Sequence, residues 1–380
     1  MAERVRREPT TYEMNHMDTS DIVAMRTRPG MYVGDTRDGS GLHHLLWEVV
    51  GNALDEFLAG RATRIDVTLN EDGSVTVEDD GGGIPIHEVD GVPFAQRALT
   101  TFHTTGTLDG HVPHAHVGWP GVGISVVNAL STWLVLDVFR SGHHFCQRYV
   151  AQTPEALLCL APTERSGTRF TFAPDPEIFA EPELSYDVVA KRLREISFLN
   201  AGLRIELRDH RPRDRVFHYP TGLRGFLDAE GSARPRGVET TEVLTCKGVK
   251  SDVRVDVALR FRQPSVASRG VLSFANTERT TLHGTHVDGL LEGIADALVP
   301  ELSAQIRHSG VARYAMQDCL DALVHVCLEN AQFSNPTTDE LGSPEVTMAV
   351  RAIVGEQLVP QLATRPRLRD QIVAHIRKRL

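Results

Sequence analysis

The sequence has 380 residues, enough for about two domains of ordinary size. Apolar residues make up 41% and charged residues 24%, as in globular proteins with a sizeable core, and the net charge of −10 disfavours nucleic-acid binding through the overall field. The sequence has no secretory signal and no apolar run near the roughly 20 residues that span a bilayer, so we expect a cytoplasmic protein without membrane contact. Five cysteines without a CxxC pair indicate reduced thiols rather than a zinc site.

The first part of the chain has alternating helix and strand patterns. Residues 1–20 are polar and are expected to form an arm. Apolar residues at three- and four-residue spacing then predict a helix over 41–60, ended by Gly60. Two alternating segments around an EDG turn at 71–73 predict a β-hairpin, and a second helix is expected after Gly123. With the alternating segments WLVLDVFR, TRFTFAP and LRIELRD, these elements indicate helices layered over a mostly antiparallel sheet.

A second unit is expected after a polar, proline- and glycine-bearing stretch at 210–250. VRVDVALRF and VLSFAN predict new strands, a helix is expected near 286–299, and the tail at 345–380 is predicted to be helical with a break near Pro360. The whole chain is therefore predicted to be α+β. We expect it to divide into an arm and two domains, at 1–20, 21–220 and 221–380.

A polar stripe follows one edge of the predicted helix at 41–60. His44, Glu48, Asn52 and Glu56 are spaced by four residues, with Asp55 one turn beyond Asn52. A carboxylate in such a stripe can take a proton from an attacking water, and an amide oxygen can bind a hard cation such as Mg²⁺. Taken alone, the stripe is more simply a solvated helix face.

Two glycine-rich segments strengthen the functional interpretation. In DDGGGIP, at 79–85, glycines permit close approach of a ligand, and Asp79 can accept a hydrogen bond from an exocyclic amine such as that of adenine. In GWPGVG, at 118–123, backbone N–H groups lead into a helix and suit phosphates, behind an irregular stretch that is typical of a lid. Each segment alone is weak evidence, because Asp-Gly-rich sequences are more often ordinary turns.

The order ExxxNAxDE, DDGxGIP and GxxGxG before SVVNALS resembles the GHKL ATPases. The segments RPGMYVGDT, GLHHLLWEVVGNALDEFLAG, AKRLREISFLNAGLRIELRD and HGTHVDGL resemble more narrowly the B subunits of type IIA topoisomerases, gyrase B and topoisomerase IV ParE. The resemblance implies a Bergerat-type ATP-binding two-layer α/β sandwich over 21–220 and a ribosomal-S5-like transducer domain over 221–380. The same segments favour this branch over MutL-like mismatch repair.

The resemblance also implies ATP and Mg²⁺ as ligands and assigns roles by position. Glu48 becomes the general base for water, with His44 orienting or polarising it, and Asn52 becomes the Mg²⁺ ligand. Asp79 reads the adenine amine with help from Thr168. The other residues implied at the nucleotide are Asp55, Gly81, Gly83, Ile84, Pro85, Gly118, Gly121, Val122 and Gly123.

Partners and an inhibitor site are implied in the same way. Glu56 and Arg140 mark the pocket edge that aminocoumarin-like inhibitors contact. The family forms a homodimer on ATP binding, closed by the N-terminal arm with Tyr12 as a candidate contact, and works with a topoisomerase A-type subunit on DNA. Motifs of the DNA-cleavage domain are missing, so the chain is expected to be either a fragment of a longer subunit or a stand-alone ATPase module.

The sequence departs from the family pattern in several places, among them Thr107 in place of a lid lysine and Gln317–Leu320 in place of a REGL segment. Three departures bear most directly on the site. Gly82 replaces an arginine that pairs with the glutamate matching Glu56, so Glu56 is expected to lack that partner. Pro120 replaces a lid histidine and removes one N–H donor. Thr338 stands where the family has a lysine at the γ-phosphate, and no lysine lies between Lys250 and Lys378.

These departures leave two functions open. The first is an ATP hydrolase that dimerises on ATP to drive DNA topology change. The second is a stand-alone, slow or non-hydrolysing nucleotide-gated module that regulates a topoisomerase or sequesters a gyrase inhibitor. Arg307 or Arg313 is a candidate to replace the missing cation.

Two other clusters are given ordinary interpretations. The first, interpreted as part of a lid loop rather than as a metal site, is His103, His111, His114 and His116. The second, interpreted as a solvated helix face, is Arg365, Arg367, Arg369, Arg377 and Arg379.

Overall fold

The computed structural model describes residues 19–101, 123–181, 183–231, 240–263, 270–298, 310–335 and 338–378. The helices in these ranges are α1 Thr19–Thr27, α2 Gly30–Val33, α3 Ser40–Leu58, α4 Phe94–Thr100, α5 Gly123–Ala129, α6 Tyr186–Leu199, α7 Gly222–Gly231, α8 Thr285–Leu298, α9 Gly310–Cys319, α10 Pro344–Ala363 and α11 Pro366–Arg377. The strands are β1 Arg64–Leu69, β2 Val75–Asp79, β3 Glu88–Val89, β4 Val92–Pro93, β5 Ser131–Arg140, β6 His143–Val150, β7 Thr153–Pro154, β8 Leu158–Pro162, β9 Gly167–Pro174, β10 Arg204–Asp209, β11 Arg215–His218, β12 Leu244–Lys250, β13 Val253–Phe261, β14 Val271–Ala275, β15 Glu278–Arg279, β16 His283–Gly284, β17 Leu320–Cys327 and β18 Glu340–Leu341.

The first sheet has the strand order β11-β10-β1-β2-β9-β5-β6-β7, with β8 paired to β6. Strand β1 runs parallel to β10, and the other pairs are antiparallel, which confirms the mostly antiparallel sheet. The predicted hairpin is β1–β2, with Leu69 opposite Val75 and Gly73 at φ +80° in the turn. Glycine takes this left-handed conformation without the steric cost that a side chain would add.

Helix α3 lies over this sheet and confirms the helix predicted from apolar periodicity. Its buried apolar residues belong to the same core as the inward side chains of β1, β2, β5, β9 and β10. They are Leu42, Leu45, Leu46, Val49, Val50, Ala53 and Leu54. Gly60, at φ +73°, follows the end of the helix and donates its N–H to Phe57 O at 2.9 Å. The buried stripe therefore fixes which edge of α3 carries the polar residues.

The second sheet has the order β12-β13-β17-β14-β15 and contains the strands predicted from VRVDVALRF and VLSFAN. The central strand β17 runs antiparallel to β13 and parallel to β14. One face of the sheet packs on α8 and α10 through residues such as Val255, Val324, Leu290 and Val350. The other face packs on α6 and α7.

The tail differs from its prediction at Pro360. The break predicted near Pro360 comes one turn later: α10 continues through Pro360 to Ala363, and Thr364 and Arg365 separate it from α11. The proline lies in the last turn, where Leu358 and Leu362 are buried. Their burial compensates for the N–H that proline lacks.

The remaining tail predictions concern its exposed face and the membrane. Arg365, Arg367 and Arg377 are exposed, as predicted for a solvated face, and Arg365 pairs with Glu242 at 3.4 Å. Arg379 lies outside the described residues. In the ranges that the structure describes, no helix is both long and apolar enough to cross a bilayer.

An aromatic cluster connects the two sheets. Phe198 of α6 stacks on Tyr219 and on Phe226 of α7, with ring centroids 3.6 and 4.7 Å apart, and Phe226 contacts Phe274 of β14. Helix α7 thus lies in a third apolar cluster, between α6 and the second sheet. The division of the chain at residue 220 stays a prediction.

Candidate functional site

The polar stripe lies along an edge of α3 as predicted. His44, Glu48, Asn52 and Glu56 are each half-buried, and Asp55 is buried. His44 Nε2 lies 2.9 Å from Glu48 Oε1, so the structure brings these two side chains together. Among the described residues, none hydrogen-bonds the Asn52 side chain, which leaves its amide oxygen available to a ligand.

The His44–Glu48 hydrogen bond changes the acidity of the imidazole. Burial of His44 works against its protonation. The hydrogen bond and negative charge of Glu48 more than offset this and raise the pKa of His44 above its ordinary value. His44 is therefore suited to donate a proton to the hydrogen bond, while the Glu48 carboxylate keeps its role as an acceptor.

Asp79 ends strand β2 in a buried position, 3% exposed. Its Oδ1 accepts hydrogen bonds from Gly81 N at 2.8 Å and from Thr168 N at 3.4 Å. Burial, together with the carboxylates of Glu56 and Asp80, raises the pKa of Asp79 to about 7. A buried carboxylate whose ionisation is opposed in this way is characteristic of a binding or catalytic site.

The DDGGGIP turn continues from this aspartate and leaves no room for larger residues. A Cβ at Gly81 would lie 2.7 Å from the Asp79 carboxylate, and Gly83 has φ +76°. The half-buried Ile84 donates its N–H to Thr168 Oγ1 at 3.2 Å. Thr168 thus contacts both ends of the turn, in agreement with its predicted place beside Asp79. Pro85 follows and is also half-buried.

The second glycine-rich segment meets α3 at the first residue of α5. A Cβ on Gly123 would lie 2.0 Å from Glu48 Oε2, so a side chain at this position would displace the carboxylate. Two segments far apart in sequence, the polar stripe and the GxxGxG glycine, therefore converge on one carboxylate oxygen. The other predicted lid residues, Gly118, Gly121 and Val122, lie outside the described residues.

Arg140, at the end of β5, lies over the DDGGGIP turn. Its Nη1 donates hydrogen bonds to Gly82 O at 3.2 Å and to Gly83 O at 2.6 Å. The structure thus places Arg140 beside the turn that is predicted to surround the adenine. Glu56 lies at the same turn, since Gly82 N donates to its Oε2 at 2.9 Å.

A cavity behind Glu48 contains residues that no sequence motif indicates. Its walls include His44, Trp47 and Glu48 from α3, Arg192 from α6, and Glu278 from β15. Arg192 lies in a segment that resembles the family, but it carries no motif of its own. Glu278 gives no sequence signal, because only the pairing of β14 with β15 brings it to α3.

The described residues contain no group of three or more His, Cys, Asp or Glu side chains that suits a metal ion. The histidine cluster around His111 lies outside them. A Mg²⁺ ion does not need such a group, because it commonly uses one or two protein oxygens together with substrate phosphates and water. The Asn52 amide oxygen could be one of these protein ligands.

Comparison with known proteins agrees with this geometry. A family model for histidine kinase-, DNA gyrase B- and HSP90-like ATPases matches residues 37–178, and one for DNA gyrase B matches 222–379. The B subunit of DNA gyrase from Synechocystis is 37% identical over 368 residues, covering 93% of this chain and 33% of the relative. The crystal structure of the 43K ATPase domain of Thermus thermophilus gyrase B, in complex with an aminocoumarin, has a TM-score of 0.78 and 32% identity over 94% of both chains.

The chain belongs to the DNA gyrase B and topoisomerase IV B family. The predicted fold class, a GHKL ATPase domain followed by a transducer, is confirmed by the solved structures of this family. The B subunit of DNA topoisomerase 4 from Streptococcus pneumoniae is 36% identical, covering 89% of this chain and 53% of the relative. The chain therefore spans only part of its relatives, 33% to 59% of the gyrase B proteins from Synechocystis and Halalkalibacterium halodurans.

The departure at Gly82 has a counterpart elsewhere in the chain. Gly82 carries no side chain that could pair with Glu56, as expected from the sequence. A different arginine, Arg61, forms a two-pronged ion pair with Glu56, at 2.6 Å through Nη2 and 2.9 Å through Nε. Gly60 turns the chain back at the end of α3, and Arg61 N donates to Glu56 O at 2.9 Å, which places the guanidinium beside the carboxylate.

The second departure, at Pro120, lies outside the described residues, and the third, at Thr338, falls in a loop between β17 and β18. Thr338 has φ +56°, and its N–H donates to Asn335 O at 3.3 Å. A β-branched residue is disfavoured in this left-handed conformation. Of the two arginines considered as substitutes, Arg307 lies outside the described residues, and for Arg313 only its backbone position in α9 is described.

Proposed function

We propose that this chain binds ATP and hydrolyses it with Glu48 as the general base. The observation that carries this proposal is the position of the Glu48 carboxylate. One oxygen bonds His44 at 2.9 Å, and the other faces Gly123 at the end of the glycine-rich lid segment. This arrangement leaves one carboxylate oxygen directed toward the segment expected to hold the phosphates.

The chemistry follows from this placement. Glu48 removes a proton from water as the water oxygen forms a bond to the γ-phosphorus, and the bond from that phosphorus to the bridging oxygen breaks. His44 donates its Nε2–H to Glu48 Oε1 and fixes the orientation of the carboxylate. The free oxygen, Oε2, is then the proton acceptor.

The adenine end of the site is assigned to the DDGGGIP turn. Asp79 would accept a hydrogen bond from the exocyclic amine, supported by Thr168. Gly81, Gly83, Ile84 and Pro85 would form the wall around the base, where the backbone comes closest to a ligand. Because the amine donates, its binding favours the ionised form of Asp79.

The phosphate end is assigned to α3 and the lid. Asn52 would hold Mg²⁺ through its amide oxygen, with Asp55 buried on the same helix as part of the nucleotide site. The metal would neutralise phosphate charge as the bond breaks. The lid residues assigned to the phosphates are Gly118, Gly121, Val122 and Gly123.

Turnover of the purified chain with Mg²⁺ tests the proposal directly. Glu48→Ala should abolish hydrolysis and retain ATP binding, since Glu48 acts on the attacking water and does not contact the adenine. Glu71→Ala, an exposed change in the β1–β2 turn, serves as the control and should keep the wild-type rate. Equal turnover in the wild type and Glu48→Ala would rule out Glu48 as the base.

At the level of the whole assembly, we propose that the chain dimerises on ATP and acts with a topoisomerase A-type subunit on DNA. The division into 1–20, 21–220 and 221–380 belongs to this proposal, with the arm crossing to the second copy. Family membership supports it. Sedimentation with and without a non-hydrolysable ATP analogue should show a monomer converting to a dimer. A monomer in both conditions would contradict it.

A second candidate is a slow nucleotide-gated module, which is favoured by Thr338 in place of the family lysine. A cation at the γ-phosphate stabilises charge in the transition state, and trans-acting arginines contribute roughly 10³–10⁵ in rate. Thr338→Lys should therefore raise turnover strongly if the missing cation limits the rate. Thr338→Asn is the matched control, because asparagine accepts φ +56° without adding charge. Equal rates in both variants would exclude this explanation.

The pocket edge is proposed to bind an aminocoumarin-like inhibitor. The Thermus gyrase B domain that this chain resembles was solved with an aminocoumarin. Here Arg140 and the Glu56–Arg61 pair border the DDGGGIP turn and offer charged contacts. Displacement of bound nucleotide by an aminocoumarin, lost in Arg140→Ala, would support this assignment.

A further inference from the structure

A hairpin of the second sheet reaches the helices of the ATP-binding domain. Strands β14 and β15 pair through Ala275 and Glu278, and their turn points toward α6 and α3. Glu278 forms an ion pair with Arg192 of α6, and both side chains are largely buried. Beside it, Arg279 of the hairpin lies 3.7 Å from Glu195 of α6.

The hairpin turn is held firmly to the centre of the second sheet. Asn276 has φ +54°, and its N–H donates to Val326 O at 2.7 Å. Its side-chain Oδ1 accepts from Leu328 N at 3.0 Å, and its carbonyl accepts from His325 Nε2 at 2.6 Å. Three hydrogen bonds to the end of β17 therefore fix the position of Glu278.

Three charged groups face His44, each from a different element. Glu48 comes from α3 itself, Glu278 from β15 and Arg192 from α6. The two carboxylates favour the protonated imidazole, and the guanidinium opposes it. Because Glu278 also pairs with Arg192, it offsets a cation that works against the His44–Glu48 hydrogen bond.

We propose that Glu278 and Arg192 are positioning residues for ATP hydrolysis. The hairpin brings Glu278 onto Arg192, and the pair keeps His44 hydrogen-bonded to Glu48. The contact between the second sheet and α6 thus determines whether the Glu48 carboxylate keeps its hydrogen bond to His44. This inference rests on the proposed role of Glu48 and extends it to a regulator in the other half of the chain.

Loss of the hairpin contact should weaken the His44–Glu48 hydrogen bond. Arg192 without Glu278 is an uncompensated cation in the wall of the cavity that contains Glu48. It lowers the proton affinity of His44 and competes with His44 for the Glu48 carboxylate. Hydrolysis should therefore depend on the hairpin being in place.

The test uses the full chain, four single variants that each remove one charge, and one double variant. Glu278→Gln and Arg192→Gln remove the charges that face His44, singly and together. Glu195→Gln and Arg279→Gln change the neighbouring ion pair between the same helix and hairpin, and serve as matched controls. The first measurement is the NMR titration of the His44 imidazole without nucleotide, assigned with His44→Gln.

The two key variants should move this titration in opposite directions. We expect the midpoint to fall by about half a pH unit or more in Glu278→Gln and to rise in Arg192→Gln. The double variant should return close to the wild type, and the controls should not move. A purely structural role would not give shifts of opposite sign. Shifts of equal sign, no shifts beyond the controls, or loss of folding in a single variant would each overturn the proposal.

Turnover provides the second measurement. The rate should fall about threefold or more in Glu278→Gln and recover in the double variant, because removing Arg192 removes the uncompensated cation. If the wild type shows no hydrolysis above Glu48→Ala, the proposed function fails, while the His44 titration still decides this inference. If the wild type hydrolyses ATP and the His44 midpoints do not respond, only the inference fails.

Discussion

Replacing Asp79 by asparagine should stabilise the nucleotide-free protein while weakening ATP binding. The carboxylate is 3% exposed, and its pKa of about 7 exceeds the ordinary value of 3.8. The folded state therefore holds a proton that the unfolded state releases between these values. Stability from this group is complete below the ordinary pKa and is lost as the pH rises through about 7. Asparagine keeps the oxygen acceptor for Gly81 and Thr168 and carries no charge.

The size of the effect follows from the pKa difference. Each pH unit between the two pKa values corresponds to about 1.4 kcal/mol, so the wild type should lose about 2 kcal/mol between about pH 5.5 and about pH 8. The variant should lose none of this. The gain in free energy of unfolding should therefore grow with pH and level off above about pH 7.

Urea unfolding at several pH values measures this difference. Asp80→Asn is the control, because Asp80 is the next residue and its contacts shift its pKa in the opposite direction. Burial favours the neutral form of Asp80, but hydrogen bonds from Thr63, at 2.6 Å and 2.7 Å, and from Arg64 N outweigh it and lower the pKa of Asp80. Asp80→Asn should thus destabilise the protein at neutral pH. A pH-independent difference for Asp79→Asn would refute the reasoning.

ATP binding should respond with the opposite sign. The exocyclic amine needs an ionised acceptor, so the affinity of the wild type should fall up to tenfold per pH unit below about pH 7. Loss of one charge-assisted hydrogen bond should weaken binding by Asp79→Asn about 10- to 100-fold at pH 8. Calorimetry of a non-hydrolysable analogue measures both effects.

Three further predictions concern positions where the backbone or an ion pair decides the outcome. Gly123→Ala places a methyl group on the Glu48 carboxylate and should reduce turnover at least tenfold with the fold intact, whereas Gly51→Ala, with open space around it, should not. Arg61→Ala removes the two-pronged ion pair from the half-buried Glu56 carboxylate and should lower inhibitor affinity and stability by about 1 kcal/mol, as measured by titration and thermal unfolding. Asn276→Ala should destabilise the chain by about 1–3 kcal/mol, and Asn276→Gly by less, because glycine accepts φ +54°.

The sequence predicts the structure correctly where a single local pattern determines it. The period of α3 and the glycine after it located the helix, and the spacing by four placed His44 beside Glu48. The glycines at 81, 83 and 123 were informative for the same reason, since a side chain at each would meet a neighbour or an unfavourable φ. The convergence of these residues on one candidate site could therefore be predicted from their types and their order.

Long-range contacts could not be predicted in this way. Arg61 pairs with Glu56 because the chain reverses at Gly60, and no motif encodes that geometry. Arg192 and Glu278 are 86 residues apart and meet only after the two sheets pack together. The break predicted near Pro360 comes one turn later, after Ala363, because tertiary packing holds the last turn of α10 in place. Gln361 Nε2 donates to Thr245 O of β12 at 3.1 Å and helps to hold the turn that contains the proline.

The aromatic column of Tyr219, Phe198, Phe226 and Phe274 has a practical consequence for taking the molecule apart. Cutting the chain at residue 220 would separate Phe198 and Tyr219 from Phe226 and Phe274. Each piece would then expose apolar aromatic surface to water and tend to self-associate. Because both halves share this column, we expect them to melt together in one cooperative transition.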